Sequence, residues 1–203
     1  MIAIITGDII NSDIYKVSDW MVGLKAYLST LGNTPKDWDI YRGDEFQVKV
    51  DPSIALKVAI EIKSLIKQFK GLDVRMAIGI GEESYSGEGI SESNGTAYQF
   101  SGRTFETLKE QKLNLAITTS NTNKNTTLNL IFKLALEFMD NWSIVSAEIV
   151  ALSLQNPESS QQEMADVLQI KQSAVSQRLK RAKADLVFEV LNFYDNVINE
   201  QNL

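Results

Sequence analysis

Residues 39–50 have the sequence Asp-Ile-Tyr-Arg-Gly-Asp-Glu-Phe-Gln-Val-Lys-Val, which is the most informative segment for the topology of the chain. It predicts two short strands on either side of Gly43-Asp44-Glu45, because Phe46, Val48 and Val50 alternate with polar residues. These two strands would form a hairpin, with further strands and helices before and after it in the chain. The order of the elements around it therefore determines the topology of the sheet.

The elements on either side of the hairpin complete a β-α-β-β-α-β order. Apolar spacing predicts strands at 2–6, 39–42, 46–50 and 74–81, and helices at 18–31 and from Pro52 onward. This order is the split βαβ unit of ferredoxin-like folds. A helix near 96–109 and a strand at 113–119 follow. We therefore expect an α/β (α+β) fold, with a ferredoxin-like βαββαβ palm domain that carries an extra helix and strand.

A polar segment separates this region from a helical one. Residues 120–127, Ser-Asn-Thr-Asn-Lys-Asn-Thr-Thr, contain no apolar side chain and predict a linker. The pattern after it is wholly helical. We expect two domains, a palm-like domain at residues 1–121 and an all-helical domain at residues 128–203.

The composition excludes several kinds of chemistry. The 203 residues include no cysteine and no histidine, so catalysis would have to use carboxylates, lysine, hydroxyls or a carboxylate-held metal. No apolar run approaches the roughly 20 residues that a membrane span needs. The apolar opening lacks the basic lead-in of a signal peptide. We expect a cytoplasmic protein with no membrane partner.

Two acidic residues are predicted to meet at one edge of the sheet. Asp8 closes the first strand and Asp44 lies in the hairpin that precedes the third strand, and these strands are antiparallel neighbours in a split βαβ sheet. Two carboxylates beside glycines form a candidate Mg²⁺ site for a nucleoside triphosphate, and Gly43 would let phosphate approach the backbone. The alternative is that both Gly-Asp pairs are ordinary turn residues.

Residues 161–179 have the spacing of a helix-turn-helix motif. Ala165 is the small residue where the two helices cross, and apolar residues such as Leu168 and Val175 lie on both sides of the turn. The glycine usual at the turn is replaced by Gln169. The alternative is a plain helical hairpin with a charged outer face.

The second helix of this motif carries the basic residues that would bind DNA. The chain has a net charge of −6, yet the segment from Lys171 to Lys183 holds five basic residues and no acidic one. Docking geometry predicts that the helix start faces base edges and that the following cations contact phosphates. The predicted DNA-binding residues are Lys171, Gln172, Ser173, Ser176, Gln177, Arg178, Lys180, Arg181 and Lys183.

The small number of cations in the basic segment and a long apolar stripe after it both favour a homodimer. Five cations bind DNA weakly in a monomer, since each neutralised phosphate adds affinity. Residues 186–198 keep a helical apolar stripe for more than three turns. The stripe could pack on its own domain or pair with a second subunit, and we favour pairing.

Several short motifs resemble the SatD family of bacterial proteins. They are Gly7-Asp8-Ile9-Ile10-Asn11-Ser12, Gly43-Asp44-Glu45-Phe46-Gln47, Gly79-Ile80-Gly81, Asn94-Gly95-Thr96-Ala97-Tyr98 and Ser101-Gly102-Arg103. The similarity covers most of the chain, including the helix-turn-helix segment, which itself resembles the repressor and sigma-region-four type. The resemblance implies an order of domains and supplies no reaction by itself.

The first elements also resemble, more distantly, the palm of class III nucleotidyl cyclases and of GGDEF-type diguanylate cyclases. Residues 42–46 differ from the GGDEF string only at Arg42. This resemblance implies metal ligands at Asp8, Ile9 (through its carbonyl), Asp44 and Glu45, with Gly7 and Gly43 as nucleotide-binding neighbours. In these cyclases an Asn and an Arg act from the partner subunit, and the matching positions are Gln99 and Arg103.

The departures from the cyclase pattern leave three functions open. Gln99 replaces an asparagine, and the lysine that the cyclases place shortly before the hairpin aspartate to bind the base has no match here, where Asp37, Trp38 and Asp39 stand instead. Our first hypothesis is a DNA-binding transcriptional regulator whose palm domain binds a nucleotide with Mg²⁺ or mediates dimerisation. The second is a nucleotidyl cyclase or nucleotidyltransferase. The third is a non-catalytic scaffold whose tail binds protein.

Overall fold

The computed structural model describes residues 1–41 and 43–199. The strands are β1 (Ile2–Ile10), β2 (Trp38–Tyr41), β3 (Glu45–Val50), β4 (Asp73–Gly81) and β5 (Leu115–Thr118). The helices are α1 (Val17–Leu28), α2 (Ala55–Ile66), α3 (Thr96–Gln111), α4 (Thr122–Met139), α5 (Ile144–Gln155), α6 (Gln161–Leu168), α7 (Gln172–Ala182) and α8 (Ala184–Asn199). No helix within these residues has the length and apolar character that a bilayer span requires.

The sheet confirms the predicted βαββαβ arrangement and the extra helix and strand. Its strand order is β2-β3-β1-β4-β5. Strand β1 is antiparallel to both β3 and β4, and β5 extends the sheet as a parallel neighbour of β4. Strand β1 is longer than predicted, because its pairing with β4 continues as far as Ile10.

The two faces of the sheet differ in what covers them. Ile5 and Ile9 of β1 join the main core, with Trp20 of α1 and Ile62 of α2. Side chains of the opposite face meet α3, which approaches β4 so closely that a Cβ at Gly79 would lie 2.3 Å from the backbone nitrogen of Ser101. Helix α3 covers the β1, β4 and β5 side of that face.

Helix α2 is buried all round, which the sequence did not predict. The apolar spacing of Ile54, Val58, Ile62, Leu65 and Phe69 predicts one buried stripe, yet Ile54 is exposed and ten of the 12 residues of α2 are buried. The reason is that α2 contacts the sheet on one side and α1, α5 and α8 on the others. Even Lys63 is buried, and its ammonium group lies 2.6 Å from carboxylate oxygens of Asp73 and of Asp140.

The predicted linker is wrong as a description of residues 122–127, which form the first turns of α4. Their asparagines have a structural use. Asn125 and Asn129 lie one helical turn apart, and each pairs through both amide atoms with a backbone unit at the edge of β5. Asn125 pairs with the N–H and C=O of Thr119 at 2.8 and 2.9 Å, and Asn129 with those of Ile117 at 2.9 and 2.8 Å. Helix α4 thus closes the sheet edge.

Helices α5, α6 and α7 form the predicted helix-turn-helix with one preceding helix. A capping box between Ser160 and Glu163 begins α6. Gln169 ends it in the left-handed region, with φ 52°. Helix α7 packs on α5 and α6.

Helix α8 folds back on its own chain. Val187 and Tyr194 of its stripe are buried, and the Tyr194 hydroxyl donates to the carbonyl of Pro52 at 2.6 Å. The alternative that the stripe packs within the chain is therefore the one that the structure shows. A homodimer stays a prediction, without this stripe as its basis.

We expect Asn129→Ala to lower the free energy of unfolding by about 1–3 kcal/mol, because it leaves the N–H and C=O of Ile117 without their partner. Urea unfolding followed by circular dichroism measures the change. Asn123→Ala, at an exposed position of the same helix, is the matched control and should change stability by less. Equal effects of the two substitutions would contradict the assigned pairing.

We expect Gln169→Gly to raise the free energy of unfolding by about 1 kcal/mol, because a Cβ is disfavoured in the left-handed conformation that this residue adopts. Gln169→Ala keeps the Cβ and should give no such gain. Thermal unfolding of the three proteins makes the comparison. A gain in the alanine variant as large as in the glycine variant would show that backbone strain at the turn is not the cause.

Candidate functional site

Helix α7 presents one side to the protein and the other to solvent. Val175 and Ala182 are buried, and the indole N–H of Trp142 donates to the carbonyl of Ala182 at 2.9 Å. These contacts fix the rotation of the helix. Six of the predicted DNA-binding residues of α7 are exposed as a result, namely Gln172, Ser173, Ser176, Gln177, Lys180 and Arg181.

The start of α7 is tied to the start of α6. Lys171 is the N-cap residue, exposed, with no capping hydrogen bond from its side chain. The Gln172 side-chain amide donates to the side-chain oxygen of Gln161 at 2.6 Å. Gln172 is exposed, so this contact orients its side chain at the surface without burying it.

Two of the predicted phosphate-binding cations face the protein. Arg178 makes a 2.7 Å ion pair with Glu148 of α5, and the Lys183 ammonium group lies 5.4 Å from the ring centroid of Phe138. Sequence reasoning missed both contacts, because Glu148 and Phe138 are 30 and 45 residues away in the chain. Lys180 and Arg181 are left as the outward-facing cations at the end of α7.

The carboxylate pair forms a second candidate site, at the meeting point of β1, β3 and β4. The register places Asp8 directly opposite Glu45 on one side and Arg75 on the other. The backbone N–H of Ile9 donates to the carbonyl of Asp44 at 3.2 Å. Since cross-strand partners share a face of the sheet, the predicted meeting of Asp8 with the hairpin is found.

Each carboxylate of this pair already has a donor. Arg75 lies 3.2 Å from Oδ2 of Asp8, and the Ser12 hydroxyl donates to Oδ2 of Asp44 at 2.7 Å. Burial raises the pKa of Asp8, and the nearby Asp44 and Glu45 charges raise it further, while Arg75 acts in the opposite direction. Arg75 was missed by sequence reasoning, although the predicted topology puts residue 75 beside residue 8.

A magnesium ion would find a limited set of ligands at this place. In the described part of the chain, no three acidic residues are grouped so that they could hold a metal ion. Mg²⁺ bound with a nucleotide often uses only one or two carboxylates together with phosphate oxygens. Oδ1 of Asp8 is buried without a hydrogen-bond partner, so it is the atom that such an ion would contact. Arg75 pairs with the other oxygen of Asp8, Oδ2, and a site that binds only a metal ion would not need this ion pair.

Different structural constraints explain why the two predicted nucleotide-binding positions of this site, Gly7 and Gly43, are glycines. A Cβ at Gly7 would lie 2.6 Å from the Phe46 ring and 2.9 Å from the Met76 side chain, so packing of the core explains this glycine. Gly43 adopts a φ of 87°, where side chains are disfavoured, and has open space around it. Arg42, the first residue of the GGDEF-like string, lies outside the described residues.

Gln99 and Arg103 do not join the carboxylates within one chain. Gln99 is exposed on α3, and Arg103 lines a cleft between α3, β5 and α4. Lys109 and Arg75, and not Arg103, are the cations whose charges act on Asp8. The cyclase resemblance implied that both residues act on a partner subunit, and this stays a prediction.

One comparison with known proteins identifies the family. The chain has no significant match among curated proteins or among solved structures. The family model described as SatD family matches residues 1–196, which is nearly the whole chain and includes both candidate sites. The chain therefore belongs to the SatD family.

Proposed function

We propose that this protein is a DNA-binding transcriptional regulator that uses α7 as its recognition helix. The observation that carries the proposal is the outward face of α7. Serine and glutamine side chains are exposed in its first turns, and two cations, Lys180 and Arg181, are exposed at its end. Short polar side chains suit contacts with base edges, and cations at the helix end suit phosphates.

The charge distribution supports the same function. Lys180 and Arg181 make no ion pair with any residue of the described chain. The nearby Glu148, which would repel a phosphate, is paired with Arg178. The side of α7 that would meet DNA is thus basic and polar in a chain whose net charge is −6.

The number of outward cations limits the affinity of one chain. With Arg178 and Lys183 facing the protein, Lys171, Lys180 and Arg181 are the exposed members of the basic block that point away from it. Because non-specific affinity grows with the number of neutralised phosphates, a single chain binds DNA weakly. We propose that the protein acts on DNA as a homodimer, and that its palm domain mediates dimerisation or senses a nucleotide.

We expect Lys180→Ala combined with Arg181→Ala to weaken binding to a labelled 30-base-pair duplex by roughly tenfold at low salt, because two phosphate contacts are lost. The slope of log affinity against log salt should decrease in magnitude by about 2. Fluorescence anisotropy over a series of salt concentrations measures both quantities.

The matched control for this experiment is Lys16→Ala combined with Lys25→Ala, which removes the same charge from exposed positions at and in α1. It should leave the salt slope unchanged. If wild type and the α7 variant have the same affinity and the same slope, α7 is not the DNA-binding helix.

A second candidate function is nucleotide binding with Mg²⁺ at Asp8 and Asp44, with or without cyclase-like turnover. The Oδ1 atom of Asp8 favours it, because this buried oxygen has no hydrogen-bond partner and burial raises the pKa of the same carboxyl, and such a group is typical of a place that receives an ion or ligand. Glu45 stands next to the pair, and Arg75 would be placed to contact a phosphate.

We expect ATP or GTP with Mg²⁺ to bind wild type, and Asp44→Ala to reduce the affinity at least tenfold, as measured by calorimetry with product analysis. Asp19→Asn, at an exposed position of α1, is the control. Turnover that Asp44→Ala abolishes would establish an enzyme, and binding without turnover would establish a sensor. Equal binding by wild type and Asp44→Ala would remove this candidate.

A further inference from the structure

A cleft of the described chain lies away from the carboxylate pair. It has a volume of about 480 Å³ and is bounded by α3, β5 and α4. Small-molecule sites commonly have volumes of roughly 300–1,000 Å³. Its lining shares no residue with the Asp8 and Asp44 site or with the exposed face of α7. Neither function proposed above gives it a role.

The charged side chains of this cleft are all basic. Arg103 comes from α3 and Lys133 from α4, and no carboxylate is part of the lining. Neither cation has an ion pair, hydrogen bond or ring contact with another described residue. The lining therefore carries two positive charges and no negative one, in a protein with 26 acidic and 20 basic residues. Such a site attracts an anionic group.

The rest of the lining is suited to an apolar body. Phe100 and Leu113 contribute apolar surface beside the cations. The Thr107 side chain stands at the wall, where its hydroxyl donates to the carbonyl of Thr104. A mixture of apolar walls with a few charged groups is the usual composition of a site for a small organic ligand.

We propose that this cleft is a binding site for a small organic anion, a molecule with a phosphate or carboxylate group on an aromatic or aliphatic body. Arg103 and Lys133 bind the anionic group, and Phe100 packs on the body. Arg103 thus acts within its own chain, in a role different from the one that the cyclase resemblance implied.

Because of the position of the cleft, a ligand bound in it also contacts the helical part of the chain. One wall is α4, which Asn125 and Asn129 hold against β5 and which packs on α8. A ligand between Arg103 and Lys133 bridges the palm domain and this first helix of the helical region. An effect of the ligand on DNA affinity rests on the proposed regulator function, whereas binding itself does not.

The test uses direct binding, so that it is independent of DNA. The probe is 8-anilinonaphthalene-1-sulfonate, an aromatic anion whose fluorescence rises on binding, titrated into the full chain with phenyl phosphate, benzoate or neutral benzyl alcohol as competitors. We expect phenyl phosphate or benzoate to displace the probe and benzyl alcohol to fail. The more effective anion identifies the preferred charged group. Arg103→Gln combined with Lys133→Gln should weaken probe binding at least tenfold.

Two further variants make the result specific. Lys16→Gln combined with Lys25→Gln removes the same charge from exposed positions at α1 and should leave the binding curve unchanged. Thr107→Phe fills the cleft without changing its charge and should also weaken binding. The proposal is overturned if wild type does not bind the probe, if the cleft variants bind as wild type does, or if the α1 variant loses as much affinity as they do.

Discussion

Helix α2 is buried between the sheet and the helical region, and it holds the two together through a buried lysine. This helix carries Lys63, which is only 2% exposed, into contact with Asp73 at the start of β4 and Asp140 at the end of α4. Lys67, one turn later, pairs with Asp73 and donates to the carbonyl of Asp140. Removing one partner of a buried ion pair typically costs about 3–5 kcal/mol, because an uncompensated charge stays behind. The network therefore fixes how the helical region meets the sheet.

The same packing makes the two predicted domains share one core. The main apolar cluster runs from Ile5 in β1 through Ile62 in α2 to Ile149 in α5 and Val175 in α7, across the predicted boundary at residues 121–128. Because α2 is covered by the helical region, the orientation of α7 is tied to the palm sheet. A change at the sheet can reach α7 through packed side chains instead of through a flexible linker.

The candidate sites lie on the faces of the sheet and of α7 that do not pack in this core. Helices α1 and α2 take the apolar face of the sheet, so the charged residues Asp8, Glu45 and Arg75 fall on the other face, which α3 covers only in part. Helix α7 buries its apolar side against α5 and leaves its polar side outward. Each site is thus formed by the polar side chains of an element whose apolar side packs in the core.

The amino-acid sequence is enough to predict the order of the elements, the pairing of the first strand with the third and the helix-turn-helix spacing, because these follow from local apolar spacing and from topological rules. It also brought Asp8 next to Asp44. The helical state of polar residues 122–127 could not be predicted in this way, since Asn125 pairs with the backbone of Thr119, just after β5, as α4 packs along the sheet edge. The same holds for Arg75 on Asp8, for Glu148 on Arg178, and for the cleft that Arg103 and Lys133 share. The two members of each of these last three pairs are 30 or more residues apart in the chain, so no local pattern contains them.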